Sequence, residues 1–313
     1  MAVYTPVGDA ELAQFLQDYD LGAATKLEPI AAGVENTNYF LDTEGGAHVL
    51  TVFERRTPEK DLPYFLGLTE HLRDRGVPCP RPRRRRDGAL IGRLADKAAA
   101  IVERLPGRTM EAPTEADCSA GGETLARMHL AATDFASERV NPLGAAGVGL
   151  MLRRLAPAIS RLEEGLGDEI DEAGDALDLW AAAPLPAGAA HTDFFPDNAL
   201  YDAGALTGVI DFYFAADEAF AYDLAVTLVS WCWSGTGLDA GKVDETLRAY
   251  QSVRPLLPEE RDALPALARA ACLRFFATRL YDLEHPRADA MVTNKDPLEY
   301  VAKLRFLRAL EEI

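Results

Sequence analysis

Cysteine is scarce in this chain of 313 residues, and its four copies, Cys79, Cys118, Cys232 and Cys272, never approach a C-x-x-C spacing. That excludes a zinc-binding motif and a disulfide framework, and leaves small buried hydrophobes as their expected role. Long apolar runs are missing too. No stretch approaches the roughly 20 residues that a membrane span requires, and Met1 to Asp20 is acidic without a basic leader, so neither a signal peptide nor an anchor is expected and residence should be cytoplasmic. Positive charge is in short supply: Lys and Arg number 32 against 50 Asp and Glu, a net charge of −18. Nonspecific binding to nucleic acid is therefore unfavourable, and a polyphosphate ligand would have to be met locally by backbone amides, a divalent cation and a few placed side chains. Neither G-x-G-x-x-G nor G-x-x-x-x-G-K-[ST] occurs, which argues against a Walker-type nucleotide site.

What is present is enough apolar residue, 48% of the chain, to build two lobes. Strand-like pieces fall at 26–31, 39–42, 48–53, 89–93 and 98–105, interrupted by one helical pattern from Leu62 to a stop at Gly76. A short amphipathic helix over 9–18, capped by Asp9, should pack outside that sheet. Beyond Pro106-Gly107 the periodicity becomes helical over 115–132, 147–165, 168–181, 219–233, 243–253, 265–284 and 297–312. The only strand signals there are 199–202 and 206–212, a hairpin divided by Ala203-Gly204-Ala205. The expected boundaries are residues 1–105 for a nucleotide-binding lobe and 106–313 for a helical catalytic and substrate-binding lobe. The basic run Arg81-Pro82-Arg83-Arg84-Arg85-Arg86 reads as a solvated loop between a helix and a strand.

The hairpin carries the strongest chemistry. His191-Thr192-Asp193-Phe194-Phe195-Pro196-Asp197-Asn198 contains D-x-x-x-x-N, and Val209-Ile210-Asp211 follows. In kinase-type phosphoryl transfer an Asp at the head of such a loop orients the acceptor hydroxyl, the Asn holds magnesium, and a later Asp at a strand end holds the metal that bridges the phosphates. Asp193 is thus the candidate catalytic residue, and Asn198 and Asp211 are the candidate metal ligands. His191 should serve the loop, hydrogen-bonded to backbone or to Asp211. A phosphate-covering turn is expected at Gly33, Asn36, Thr37 and Asn38. Thr51 stands where a kinase carries its strand lysine, with Arg55, Arg56 and Lys60 nearby and Glu70 as a carboxylate that could pair with a cation. Glu103 and Leu105, leading into the hinge, are where an adenine ring would hydrogen-bond.

With these motifs, and with Tyr222-Asp223-Leu224-Ala225 opening the next helix, the chain resembles the aminoglycoside phosphotransferase and choline kinase superfamily. Gly33-Val34-Glu35-Asn36-Thr37-Asn38-Tyr39, Val49-Leu50-Thr51-Val52-Phe53-Glu54, Val209 through Ala215 and Lys295-Asp296-Pro297 are most similar to its homoserine kinase branch. The resemblance implies an α+β, bilobal, protein-kinase-like fold: a small antiparallel sheet lobe with one helix, then a larger helical lobe. It implies ATP and Mg2+ as cofactors and L-homoserine as acceptor, in threonine biosynthesis, with no nucleic-acid or membrane partner and a monomer or homodimer as the assembly. Gripping a zwitterion requires a carboxylate and a cation. Asp217 and Glu218 are candidates for the first, Arg274 and Arg279 for the second, with Tyr213, Phe275 and Phe276 alongside. Two departures from the family pattern are Thr192 where a glycine is usual, and Gly147-Val148-Gly149, which lacks an aromatic. Competing readings are a kinase for choline, an aminoglycoside or another amino alcohol, a non-catalytic nucleotide-binding module, and a metal-dependent hydrolase.

Overall fold

The computed structural model describes residues 5–30, 36–54, 57–286 and 295–310. They fall into two compact units. One runs up to Gly107 and also takes in Thr207–Tyr213; the other holds Arg108–Leu206, Phe214–Pro286 and the C-terminal helix.

In the first unit, helix α1 (Asp9–Leu16) precedes strands β1 (Ala24–Pro29), β2 (Thr37–Thr43) and β3 (Gly46–Val52). Helix α2 (Leu62–Asp74) follows, then β4 (Gly92–Leu94) and β5 (Lys97–Glu103). The strands form one antiparallel sheet in the order β1-β2-β3-β5-β4. Alternation along β2 sends Thr37, Tyr39, Leu41 and Thr43 to the buried side, the period-two pattern of a strand covered on one face. Leu12, Phe15 and Leu16 of α1 cover it, packed with Leu41, Leu50, Val52 and Ile101. Gly92 is part of that fit, because a Cβ there would lie 2.6 Å from the Phe15 ring. Asp9 is the first helical residue of α1; the cap is Gly8, whose amide is met by Glu11 rather than by an Asp9 side chain. Helix α2 ends where its pattern says it should, at Gly76 with φ +81°.

The basic run is an ion-paired loop. Arg81 meets Asp74, Arg84 meets Glu70, Arg85 meets Asp18 and Asp87, and Arg86 meets Asp20. Glu70 is thereby taken up by Arg84.

The second unit contains α3 (Glu115–Ala132), α4 (Ala145–Leu162), α5 (Leu166–Glu172), α6 (Asp175–Ala182), β6 (Ala187–Ala190) and β7 (Ala199–Asp202). After β8 (Ala205–Val209), which crosses the unit boundary, come β9 (Ala216–Ala219), α7 (Phe220–Trp231), β10 (Trp233–Ser234), β11 (Gly237–Leu238), α8 (Ala240–Val253), α9 (Pro258–Glu284) and α10 (Leu298–Arg308). Helix α3 is started by a reciprocal Thr114–Asp117 capping box. Its Gly122 permits close approach of α8, since a Cβ would stand 2.4 Å from the Thr246 carbonyl oxygen. Helix α7 is buried nearly all round and forms the centre of this unit.

Three expectations need correction. The helix expected over 168–181 is two short ones, broken at Ala173-Gly174. The helix expected from Pro265 begins at Pro258, where Glu260 accepts from the Leu257 amide at 3.0 Å; Pro265 is accommodated inside it. The pair β6 and β9 is an additional antiparallel ladder, built from AGAA and ADEA, which lack the β-branched and aromatic residues that mark strands. All four cysteines are free and buried, and burial pushes the Cys79 and Cys272 thiols up to about 12, so they are inert as nucleophiles. Among the described residues no helix is long and apolar enough to cross a membrane.

Candidate active site

Strand β6 delivers the chain to His191, Thr192 and Asp193, and the shape of this loop is set by charges buried beneath it. Asp223 on α7 is fully buried. Its two oxygens accept from the His191 amide at 2.9 Å and the Thr192 amide at 2.8 Å. The same carboxylate takes a hydrogen bond from His129 Nε2 at 3.0 Å. His129 Nδ1 in turn accepts from the Tyr250 hydroxyl at 2.7 Å, Tyr250 accepts from Arg254 at 3.1 Å, and Arg254 pairs with the fully buried Glu260. Burial pushes the Asp223 carboxyl up, but the His129 hydrogen bond and the His191 amide outweigh it and hold it below the usual carboxylate range. Burial also lowers the His129 imidazole, so the pair is an ionised carboxylate and a neutral ring donating from Nε2.

Thr192 is held at φ +59°, in the left-handed region where a β-branched residue is strained. A glycine would adopt this geometry freely. Here the loop keeps it by satisfying every polar group of Thr192: the amide on Asp223, Oγ1 donating to the Phe214 carbonyl at 3.0 Å, and the carbonyl accepting from Arg274.

Asp193 follows with its side chain 19% exposed and Oδ1 3.6 Å from Arg274 Nη2. Its amide donates to His191 Nδ1 at 3.3 Å, so His191 supports the loop rather than facing outward. Asn198 ends a 3-10 turn at Pro196–Asn198. Its Nδ2 donates to the Asp193 carbonyl at 2.8 Å, closing the D-x-x-x-x-N loop on itself. Phe194 and Trp231 form the floor, with Trp231 Nε1 donating to the Phe194 carbonyl at 2.8 Å.

Asp211 lies in the other unit. It sits at φ +64°, after β8 has been anchored there by Val209 N–H on the Pro78 carbonyl at 2.7 Å. Sequence reading carried a strand to 212, whereas the strand stops at Val209 and Phe212–Phe214 coil into a 3-10 turn. Tyr213 packs edge-on against Phe53 and Phe65, at 5.5 and 5.8 Å between ring centres, with its hydroxyl toward Thr51. It thus packs against the aromatic rings of the sheet unit.

The remaining candidates are distributed unequally. Gly33, Arg55 and Arg56 lie outside the described residues. Asn36 Oδ1 accepts from the Glu54 amide at 3.0 Å and from Thr57 at 3.1 Å, and Thr37 Oγ1 donates to Glu54 at 2.8 Å. The Thr37 hydroxyl and the Asn36 side-chain oxygen are thus spent inside the fold. Asn38 Oδ1 accepts from Thr51 Oγ1 at 2.8 Å, so the residue at the lysine position is a hydroxyl tied to its neighbouring strand. Lys97 meets Glu54 and Thr5 instead, and Lys60 lies in an exposed turn. Glu103 gives its amide to the Arg81 carbonyl at 2.9 Å and its carboxylate to Arg73, while Leu105 follows the end of β5 and is buried. Asp217 Oδ2 accepts from the Arg139 amide at 2.9 Å. Glu218 is held by Asn141 and Trp180, each at 2.8 Å. Arg279 pairs with Glu299 at 2.6 Å and lies 4.5 Å from the Tyr300 ring centre. The functional residue that sequence reasoning did not place in the site is Asp223; its only signal was membership of the Tyr222-Asp223-Leu224-Ala225 match.

Among the described residues no group of three or more His, Cys, Asp or Glu could hold a metal. A magnesium ion needs less, one or two side-chain oxygens beside substrate phosphates. Asn198 fits that demand: its amide nitrogen is committed to Asp193, which leaves the oxygen as its ligating atom.

A small antiparallel sheet unit with α2, a helical unit, and a D-x-x-x-x-N loop anchored by a buried Asp define a small-molecule phosphotransferase of protein-kinase-like fold. The solved structure of an amicoumacin kinase with AMP-PNP and Ca2+ has this fold, with a TM-score of 0.66 at 16% identity over 95% of this chain and 91% of that one. The model of the phosphotransferase enzyme family matches residues 26–256, and the chain belongs to that family. Homoserine kinases of Brucella canis and Acidiphilium cryptum are 47% and 48% identical to it, over 99% and 98% of this chain and 96% of each relative.

Proposed function

We propose that this chain is a homoserine kinase, transferring the γ-phosphoryl group of ATP to the side-chain hydroxyl of L-homoserine. The observation that carries the reading is identity near one half, without a break in coverage, to enzymes of that name. The loop geometry supports it. In the reaction the homoserine oxygen bonds to the γ-phosphorus, the bond from that phosphorus to the β,γ-bridging oxygen breaks with its electron pair leaving on ADP, and the hydroxyl proton passes to Asp193. Because such transition states are loose, the work falls to positioning and charge neutralisation, and Asp193 needs no raised basicity. Its carboxylate, partly exposed and braced by Arg274 and Asn198, is suited to orienting a hydroxyl.

Asn198 and Asp211 would hold Mg2+, which when bound neutralises charge on the phosphates. With the Thr37 hydroxyl donated to Glu54, contact with phosphate would come from Gly33, as the sequence reading expects, from the backbone amides of residues 36–38, and from the Asn36 and Asn38 side-chain amides. With the Glu103 amide already donated, the adenine edge would be read at Leu105. Turnover with ATP and Mg2+ should be measured on L-homoserine, choline and an aminoglycoside. Homoserine is expected to be the preferred acceptor. Turnover on choline with none on homoserine would sink the assignment.

A further inference from the structure

We infer that Arg274 is a positioning residue of the phosphoryl-transfer step, acting on Asp193 through the loop, and is not the group that grips the amino-acid carboxylate. The inference rests on the functional reading above. Arg274 is 2% exposed, in the middle of α9. Its guanidinium lies 4.3 Å from the Phe275 ring centre and 5.6 Å from that of Phe214. Nη1 donates to the Thr192 carbonyl, and Nη2 stands 3.6 Å from Asp193 Oδ1. The two nitrogens of one rigid fork thus address two consecutive residues of the loop, which an ammonium on a flexible stem cannot do.

A carboxylate from substrate could bind this guanidinium only by displacing the Thr192 carbonyl or the aromatic rings, and at 2% exposure there is no open face for it. The same geometry suits a brace. Thr192 occupies a backbone conformation that its side chain disfavours, Asp223 fixes its amide end, and Arg274 fixes its carbonyl end. Asp193, the next residue, then has Oδ1 facing Arg274 and Oδ2 facing Asn198 Nδ2 at 3.5 Å. Rotation of the carboxylate is restricted from both sides, which is the orientation that an in-line attack requires.

The test is steady-state kinetics on the full-length Arg274→Gln and Arg274→Lys variants with ATP, Mg2+ and L-homoserine. Binding of the non-reacting homoserine analogue L-2-aminobutyrate is read as its inhibition constant, and folding is followed by thermal melting. A positioning role predicts that kcat falls about 100-fold in Arg274→Gln, with KM for homoserine and the aminobutyrate constant within about twofold of the parent. Arg274→Lys should recover part of the loss, and it carries the test if Arg274→Gln does not fold. A tenfold or larger rise in KM and in the aminobutyrate constant with kcat preserved would make Arg274 the carboxylate ligand and overturn the inference, as would an unchanged kcat in both variants. Failure of the parent enzyme to turn over homoserine would instead refute the functional reading, and the two failures are told apart by the parent alone.

Discussion

The two units fix their polar residues by different means. In the helical unit the loop from His191 to Asn198 stands on fully buried charge: Asp223 under two amides, Arg274 on a carbonyl, and the Glu260–Arg254–Tyr250–His129 chain behind Asp223. In the sheet unit the end of β3 is tied by hydroxyls and by an ion pair that reaches solvent: Thr51 on Asn38, Thr37 on Glu54, and Glu54 with Lys97, whose side chain is 38% exposed. Removing one partner of a fully buried charge leaves the other stranded, whereas the partly exposed Lys97 is rehydrated when Glu54 loses its charge. Site geometry and stability should therefore be inseparable in the helical unit and separable in the sheet unit.

The largest effects test the reaction itself. Asp193→Asn and Asp211→Ala should each lower kcat by about 10³-fold, whereas His191→Ala, which loses a loop-supporting ring that accepts the Asp193 amide and packs against Phe194, should cost about tenfold; equal losses in Asp211→Ala and His191→Ala would contradict the assigned roles. Asp223→Asn should then cost about 3 kcal/mol in denaturant unfolding and lower kcat in parallel. Loss of stability with kcat intact would break the coupling claimed for the helical unit.

Acid should act on the same place. The folded-state imidazole of His129 is lowered relative to the unfolded chain, so the unfolded state binds more protons below about pH 6.5 and stability falls as pH drops through that value. Asp223, also lowered, contributes stability above its unfolded value near pH 4 that is lost as pH falls through its folded one. Stability should decline in two stages on acidification, and His129→Gln should reduce the first, to which the buried His48, also lowered, contributes the rest. A parent protein equally stable at pH 7 and pH 5 would contradict this.

Glu54→Gln in the sheet unit should cost no more than about 1 kcal/mol. Smallest of all, Arg84→Ala removes a surface partner of Glu70 and should change stability by less than about 0.5 kcal/mol. A loss of several kcal/mol from Glu54→Gln would erase the distinction between the units.

The antiparallel sheet, α2 with its stop at Gly76 and α3 with its capping box were legible because period, cap and breaker lie within a few neighbouring residues. Ladder β6–β9 was not, since alanines announce no strand and the partners are more than 25 residues apart. His129 offered no signal at all. Its role comes from Asp223, 94 positions away, and only folding brings them together. Arg274 was picked out as a cation near a pocket, and its burial between aromatic rings turned it toward the loop.

By itself the sequence determined the class of chemistry. A spacing of five from Asp193 to Asn198 is local, and it survives folding as a closed turn whose amide nitrogen returns to the Asp193 carbonyl. Family likeness added the acceptor. Only the tertiary structure decided how a threonine can stand at φ +59° in place of glycine: strain at one residue is offset by hydrogen bonds that Thr192 donates to Asp223 of α7 and to the Phe214 carbonyl, and by one it accepts from Arg274 of α9. Those partners lie 22 to 82 residues away along the chain, beyond the reach of any local pattern.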